Sequence, residues 1–186
     1  LREISLEEER KPGGAFDYMV ELCKPGGLRY LGRNLPCNDL SFFAMFLNKR
    51  IEKPEDFKSY RMGTATATNI TATAWGATAI NLTSPSDYYT SMERGTVDGI
   101  SSTTAEQIVA SGTFQVTKFA PRPGFFDGSG SVLVNLNVWN SLPADLQQVI
   151  LQAMIYNEKY NADIHQRIIE NAYKKMSDSG VQVYQL

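Results

Sequence analysis

The side chains of this chain best suited to holding a small ligand gather at two places. One is the segment Ser84 to Gly99, SPSDYYTSMERGTVDG, with the hydroxyls that follow it; the other is the run of threonines that begins at Thr64. Ser84 caps a helix with Pro85 at its first position and Asp87 three residues on, and Gly95 ends that helix before Val97 starts a strand. Asp98-Gly99 is then expected to leave the C-terminal end of a strand, the edge at which open α/β sheets bind small ligands. Ser101, Ser102 and Thr103 come next in the chain, and Thr64 and Thr66 follow an earlier strand; their hydroxyls donate and accept and so suit a polar ligand. Trp75 and Phe125 could supply an apolar wall, although a tryptophan placed like Trp75 before Gly76 is more often core than pocket. Asp98 is expected to brace its own turn.

The residues that would do catalysis are not arranged for it. His165 is the only histidine and lies within a long helical pattern, with no Cys, Asp or Glu at ligand spacing around it. No metal site is expected, and no cofactor. There is no G-x-S-x-G, no phosphate loop and no dinucleotide fingerprint. Asp127-Gly128-Ser129-Gly130 reads as a hairpin-like turn before a strand. Asn69-Ile70-Thr71 and Asn81-Leu82-Thr83 match a glycosylation pattern that is common by chance.

The elements that must position these residues alternate. Phe16, Met19, Val20 and Cys23 have helical spacing and stop at Pro25-Gly26-Gly27. Strands are expected at Leu28–Leu31 and Ser41–Leu47, a single acidic helical turn over Pro54–Lys58, and a strand at Tyr60–Gly63. A helix of about ten residues then reaches Gly76. Strands at Ala79–Leu82, Val97–Ile100, Phe114–Phe119 and Ser131–Asn135 alternate with helices, the α/β signature. From Ser141 and Pro143 a long amphipathic helix runs towards Ser179, roughly 50 Å if unbroken.

Composition bounds the rest. With 42% hydrophobic and 20% charged residues, the 186-residue chain is that of an ordinary folded protein. A net charge of −2 without a basic stripe argues against nucleic acid as a partner. No apolar run approaches the roughly 20 residues of a membrane helix. Cys23 and Cys37 could form a bridge or stay as free thiols.

Five segments in register resemble the substrate-binding proteins of TRAP transporters. They are Gly27-Leu28-Arg29-Tyr30-Leu31-Gly32, Pro54-Glu55-Asp56-Phe57-Lys58, Trp75-Gly76-Ala77, the Ser84–Gly99 stretch with its terminal Val97-Asp98-Gly99, and Asn135 through Gln148, NLNVWNSLPADLQQ. The resemblance implies a type II periplasmic-binding-protein-like α/β fold with a largely complete second lobe, a partial first lobe and a long C-terminal helix across both. The expected division is residues 1–62 as the partial first lobe, 63–138 as the second lobe, and 139–186 as the long helix with a return to the first lobe. It also implies a periplasmic receptor, not an enzyme, that captures a small organic, acidic molecule in a cleft between lobes and delivers it to TRAP membrane subunits. The chain is expected to begin inside a longer family member, with weak or absent ligand affinity as a result. An apolar face around Phe42, Phe43 and Phe46 would then be exposed and favour self-association or strand exchange that rearranges the first half.

The family typically grips its ligand's carboxylate with an arginine at the end of the strand entering the second lobe. That position falls on Gly63, a departure from the pattern. Three readings stay open: Arg61, one pleat away on the same face at about 6.6 Å, supplies the charge; Arg122 in Pro121-Arg122-Pro123 supplies it; or the glycine makes room for a larger or neutral ligand. Asn135 falls at a family position near the cleft. Dicarboxylates, keto acids, sugar acids and zwitterions all remain open as ligands. The alternatives in function are a sensor or orphan receptor on the same fold and, from another class, an α/β enzyme.

Overall fold

The computed structural model describes residues 5–34, 43–82, 84–126 and 130–186. The strands are β1 (Leu28–Arg33), β2 (Ala44–Leu47), β3 (Arg61–Thr64), β4 (Thr78–Asn81), β5 (Gly99–Thr103), β6 (Phe119–Arg122), β7 (Ser131–Asn135) and β8 (Gln182–Gln185). The α-helices are α1 (Leu6–Glu9), α2 (Ala15–Cys23), α3 (Thr66–Ala74), α4 (Ser86–Glu93), α5 (Ala105–Ala110), α6 (Leu136–Ser141) and α7 (Ala144–Asp178). The described residues fall into two compact units, one drawn from Leu1–Pro36 and Ser129–His165, the other from Cys37–Gly128 and Gln166–Leu186. The division expected at residue 63 is therefore not a unit boundary. The strand at Ser131–Asn135 also lies in the first unit rather than with the strands that precede it.

In the first unit, Lys24-Pro25-Gly26 continues α2 as a 3-10 turn, and Gly27 ends it at φ 71° with its N–H on the Lys24 carbonyl. That left-handed conformation is one glycine adopts without strain. The chain then enters β1, which pairs antiparallel with β7, Leu28 opposite Asn135 and Arg33 opposite Ser131. Asn135 closes β7 and opens α6: its Oδ1 accepts from the N–H groups of Asn137 and Val138, at 2.9 and 3.3 Å. Leu31, Trp139 and Met154 form the buried core, flanked by Val132, Val134 and Ile150. Ile150 and Met154 are one helical turn apart on α7, as the apolar spacing of that segment requires. The 35 residues of α7 make it about 52 Å long.

The second unit is built on a six-stranded sheet in the order β4-β3-β5-β2-β6-β8. β3 runs parallel to β4 and β5, β2 runs antiparallel to β5 and β6, and β8 runs parallel to β6. Consequently β3, β4, β5, β6 and β8 all end at one edge of the sheet. Side chains alternate across it. Met62, Met45 and Leu47 face a cluster that contains Ala72 of α3 with Phe57 and Tyr60. Ile100 meets Tyr88 and Met92 of α4, while Phe46 and Ala120 meet Ile108 of α5 and Ile169, Ala172 and Met176 of α7. Burial of Phe46, with no exposed surface, stabilises the unit by about 2–3 kcal/mol. The exposed apolar face expected around Phe46 is thus corrected: Phe46 is core, Phe43 stacks on Phe126 with ring centroids 5.4 Å apart, and Phe42 lies outside the described residues.

Two further expectations shift, and one strand has no counterpart among the expected elements. β5 begins at Gly99, so Asp98 precedes the strand instead of leaving it. The strand expected over Phe114–Phe119 is a 3-10 turn, Thr113–Val116, followed by β6; Gly112 at φ 75° forces that turn before extended chain resumes. β8 pairs Phe119 with Gln182 and Arg122 with Gln185, and it follows directly from the end of α7.

Candidate functional site

The candidate site is the edge where the parallel strands end. At β3 the backbone passes from Thr64 through Ala65 into α3. The helix start is closed by Thr68, whose Oγ1 accepts from the Ala65 N–H at 3.1 Å. At β5 it passes from Thr103 through Thr104 into α5. At β6 it ends at Arg122, whose bond to Pro123 is cis. By register, Ala44 pairs with Thr103 and Leu47 with both Gly99 and Phe119. Arg122 therefore stands at the same edge as Thr64, Asn81 and Thr103.

The hydroxyls at this edge are largely engaged inside the unit. Thr64 Oγ1 bonds Asn69 Oδ1 and reaches the Ile80 carbonyl at 3.3 Å. Ser101 Oγ donates to the Gly63 carbonyl at 3.4 Å, and Ser102 Oγ lies 3.3 Å from the Tyr88 hydroxyl. Thr103 Oγ1 donates to Gln107 Oε1 at 2.7 Å. Thr64, Ser101, Ser102 and Thr103 are all buried, while Thr66, at the first position of α3, is exposed. Thr104 carries a signal that its sequence context did not give. It is 3% exposed at the N-cap of α5, makes no capping hydrogen bond, and its Oγ1 has no partner among the described residues. A buried hydroxyl without a partner is costly, about 1–3 kcal/mol, and such a group suits a ligand contact.

The two arginines part company. Arg61 opens β3, so it lies at the opposite edge from Thr64, and the expectation that it reaches toward the Thr64–Thr66 loop is corrected. Its Nε and Nη2 donate to the two oxygens of Asp98 at 3.0 and 3.1 Å, and Lys49 Nζ adds a contact at 3.1 Å. The Asp98 hydrogen bond holds the Arg61 guanidinium above its usual pKa. Arg122 donates to Glu170 through Nη2 at 3.1 Å and Nη1 at 3.4 Å, and its guanidinium lies 4.5 Å from the Tyr173 ring centroid. Burial pushes the Tyr173 phenol up to about 12, so it stays neutral under the charge.

Gly63 faces inward. A Cβ there would come within 2.7 Å of Ile100 Cδ1 and of Leu82 Cδ1. A side chain at position 63 would meet apolar core before it met the edge. Trp75 packs between Phe57 and Phe125, with centroids at 4.8 and 4.7 Å, so both aromatics are bound into the cluster under α3. Asn135 is in the first unit, where its side chain is occupied as the α6 cap.

Hollows also lie elsewhere among the described residues. One of about 530 Å³ in the first unit is lined by Arg10, Ile155 and Glu158; one of about 440 Å³ in the second is lined by Lys49, Arg50, Asp56 and Tyr60. Beside the first, Glu158 is 3% exposed and accepts from Arg10 Nε at 2.9 Å and from the Arg33 N–H at 2.8 Å. Among the described residues no three His, Cys, Asp or Glu side chains could hold a metal ion, and no helix is long and apolar enough to cross a membrane. Cys23 is a free thiol, and Cys37 lies outside the described residues.

Solved structures share this architecture. A TRAP periplasmic solute-binding protein from Ochrobactrum anthropi, with its own C-terminus bound in its ligand pocket, is 23% identical with a TM-score of 0.81, over 99% of this chain and 57% of that one. One from Citrobacter koseri with bound D-glucuronate is 21% identical, TM-score 0.76, over 97% and 59%. One from Xanthobacter autotrophicus Py2 with bound β-D-galacturonate is 17% identical, TM-score 0.75, over 91% and 55%. The chain thus spans a little over half the length of these relatives. The model of the bacterial extracellular solute-binding protein family 7 matches residues 38–186, most of the chain, and the protein belongs to that family of substrate-binding receptors.

Proposed function

We propose that this chain is part of a periplasmic solute receptor that holds a sugar acid at the strand-end edge of its second unit and delivers it to a TRAP-type transporter. The observation that carries the reading is Arg122, a guanidinium at the same edge as the Thr64–Thr66 and Ser102–Thr104 loops. A planar guanidinium pairs a carboxylate through two parallel hydrogen bonds, and hydroxyls such as those of Thr66 and Thr104 suit a polyol backbone. That set fits a uronate or aldonate better than a simple dicarboxylate, which would call for a second cation. The Citrobacter and Xanthobacter relatives with bound hexuronates support the same ligand class.

In this reading Thr64, Ser101, Ser102 and Thr103 shape the edge through their internal hydrogen bonds, and Thr66, Thr104 and Arg122 meet the ligand. The test is thermal shift of the 186-residue chain with D-glucuronate, D-galacturonate, L-galactonate, succinate and D-glucose. Stabilisation by the sugar acids, absent with glucose and lost in Arg122→Gln, supports the assignment. Equal stabilisation by glucose, or sugar-acid stabilisation unchanged in Arg122→Gln, overturns it.

A further inference from the structure

Arg122 does not stand open at its edge. Glu170 and Tyr173, three residues apart on one face of α7, take the guanidinium between them: Glu170 accepts from Nη1 and Nη2, and the Tyr173 ring lies beneath the charge. The pair differs in burial. The Glu170 side chain is 50% exposed and that of Arg122 is 22% exposed, so the carboxylate can swing into solvent while the guanidinium stays seated on the ring. A glutamate carboxylate bonding both terminal nitrogens of Arg122 is chemically the group that a sugar acid would bring to the same nitrogens.

We propose that Glu170 occupies the place of the ligand's carboxylate at Arg122, as an internal competitor that ligand must displace, and that it makes the site selective for anions. The inference rests on the reading of Arg122 as the carboxylate's partner. A carboxylate ligand replaces one ion pair by another and releases Glu170 to water. A neutral sugar offers no such exchange: to reach Arg122 it would break the ion pair and return hydrogen bonds from the guanidinium to neutral hydroxyls, without the opposite charge or the two parallel bonds that a carboxylate supplies. Exposed pairs of this kind are weak, so the competition is small and ligand can win it. Tyr173 keeps the guanidinium in position through the exchange.

The test is calorimetric titration of D-glucuronate and D-glucose into the wild-type chain, Glu170→Gln, Glu170→Asp and Arg122→Gln, with the melting temperature of each ligand-free form recorded as a check on folding. Release from competition is expected to tighten glucuronate binding about two- to fivefold in Glu170→Gln. Glu170→Asp, which keeps the charge on a shorter arm, is expected to tighten it too. It serves alone should the glutamine variant not fold. Glucuronate binding by wild type that is equal or weaker in the Glu170 variants overturns the competitor role and leaves the functional reading intact. Glucuronate binding in none of the folded forms overturns both.

Discussion

Arg61 and Asp98 tie together the entry ends of β3 and β5. The Arg61 backbone N–H and Nε both reach Asp98 Oδ2 at 3.0 Å, and the Asp98 N–H returns to the Arg61 carbonyl at 2.7 Å. The pair therefore belongs to the sheet's construction, at the edge opposite the candidate site. This gives Val97-Asp98-Gly99 a mechanical role: the aspartate holds two parallel strands in register, and Gly99 lets Leu47 and Met62 close over them, since a Cβ there would lie 2.5 Å from Leu47 Cδ2.

The pair makes stability depend on acid. Burial raises the Asp98 pKa, but hydrogen bonds from Arg61 and Lys49 outweigh it and bring the value down to about 2. A carboxyl with a lowered folded-state pKa contributes fully above its unfolded value near 4 and loses that contribution as pH falls toward 2. Urea unfolding between pH 5 and pH 2 should show about 1–2 kcal/mol lost from this group, reduced by the solvent around its two cations. In Asp98→Asn that part of the slope should vanish and stability at pH 7 should fall by a similar amount.

Arg61→Ala separates the two edges. It should lower stability while leaving glucuronate affinity within about twofold of wild type, since no strand-end residue loses a partner. Loss of binding equal to that in Arg122→Gln would move the site to the other edge.

In the first unit, Gly32 and Glu158 form a fitted pair. Gly32 has φ 151°, and a Cβ there would lie 2.3 Å from Glu158 Oε1 and 2.7 Å from Arg10 Nη2. Gly32→Ala must strain the backbone and displace a buried charge from its arginine, so a loss of about 2–4 kcal/mol is expected in urea unfolding. Glu158→Ala, which strands Arg10, should cost about 3–5 kcal/mol.

Tyr184 anchors β8 to the loop after β2. Its hydroxyl donates to the Ile51 carbonyl at 2.7 Å and accepts from the Ile51 N–H at 3.2 Å. Tyr184→Phe removes both bonds and leaves a backbone pair unsatisfied, an expected cost of about 1–3 kcal/mol read as a lower melting temperature.

What could be read from the residues alone followed the local rules. Apolar spacing and Pro-Gly punctuation placed α2, β1, α3, α4, β7 and α7 to within a few residues. The acidic turn over Pro54–Lys58 was legible too, and the structure shows Asp56 there accepting from the Glu52 and Lys53 N–H groups. Misplacements came where distant contacts decide. β8 is four residues long and owes its existence to pairing with β6. β7 joins β1, about a hundred residues away, in preference to nearer strands. The candidate site was legible as two hydroxyl-rich loops, but Arg61 and Arg122 could not be told apart, because which strand end each occupies depends on β5 starting at Gly99 and β2 reversing direction between β5 and β6. Glu170 and Tyr173 gave no local signal; α7 brings them to Arg122 only in three dimensions.

The most direct test of the strand-end site is an NMR titration of the isotope-labelled 186-residue chain with D-glucuronate. The largest shifts are expected on the amides of Thr64–Thr66 and Ser102–Thr104 and on the Arg122 Nε signal, with Arg61 and Asp98 unmoved. Shifts centred on Arg61, Lys49 and Asp98, or no shift anywhere at tens of millimolar ligand, would contradict it.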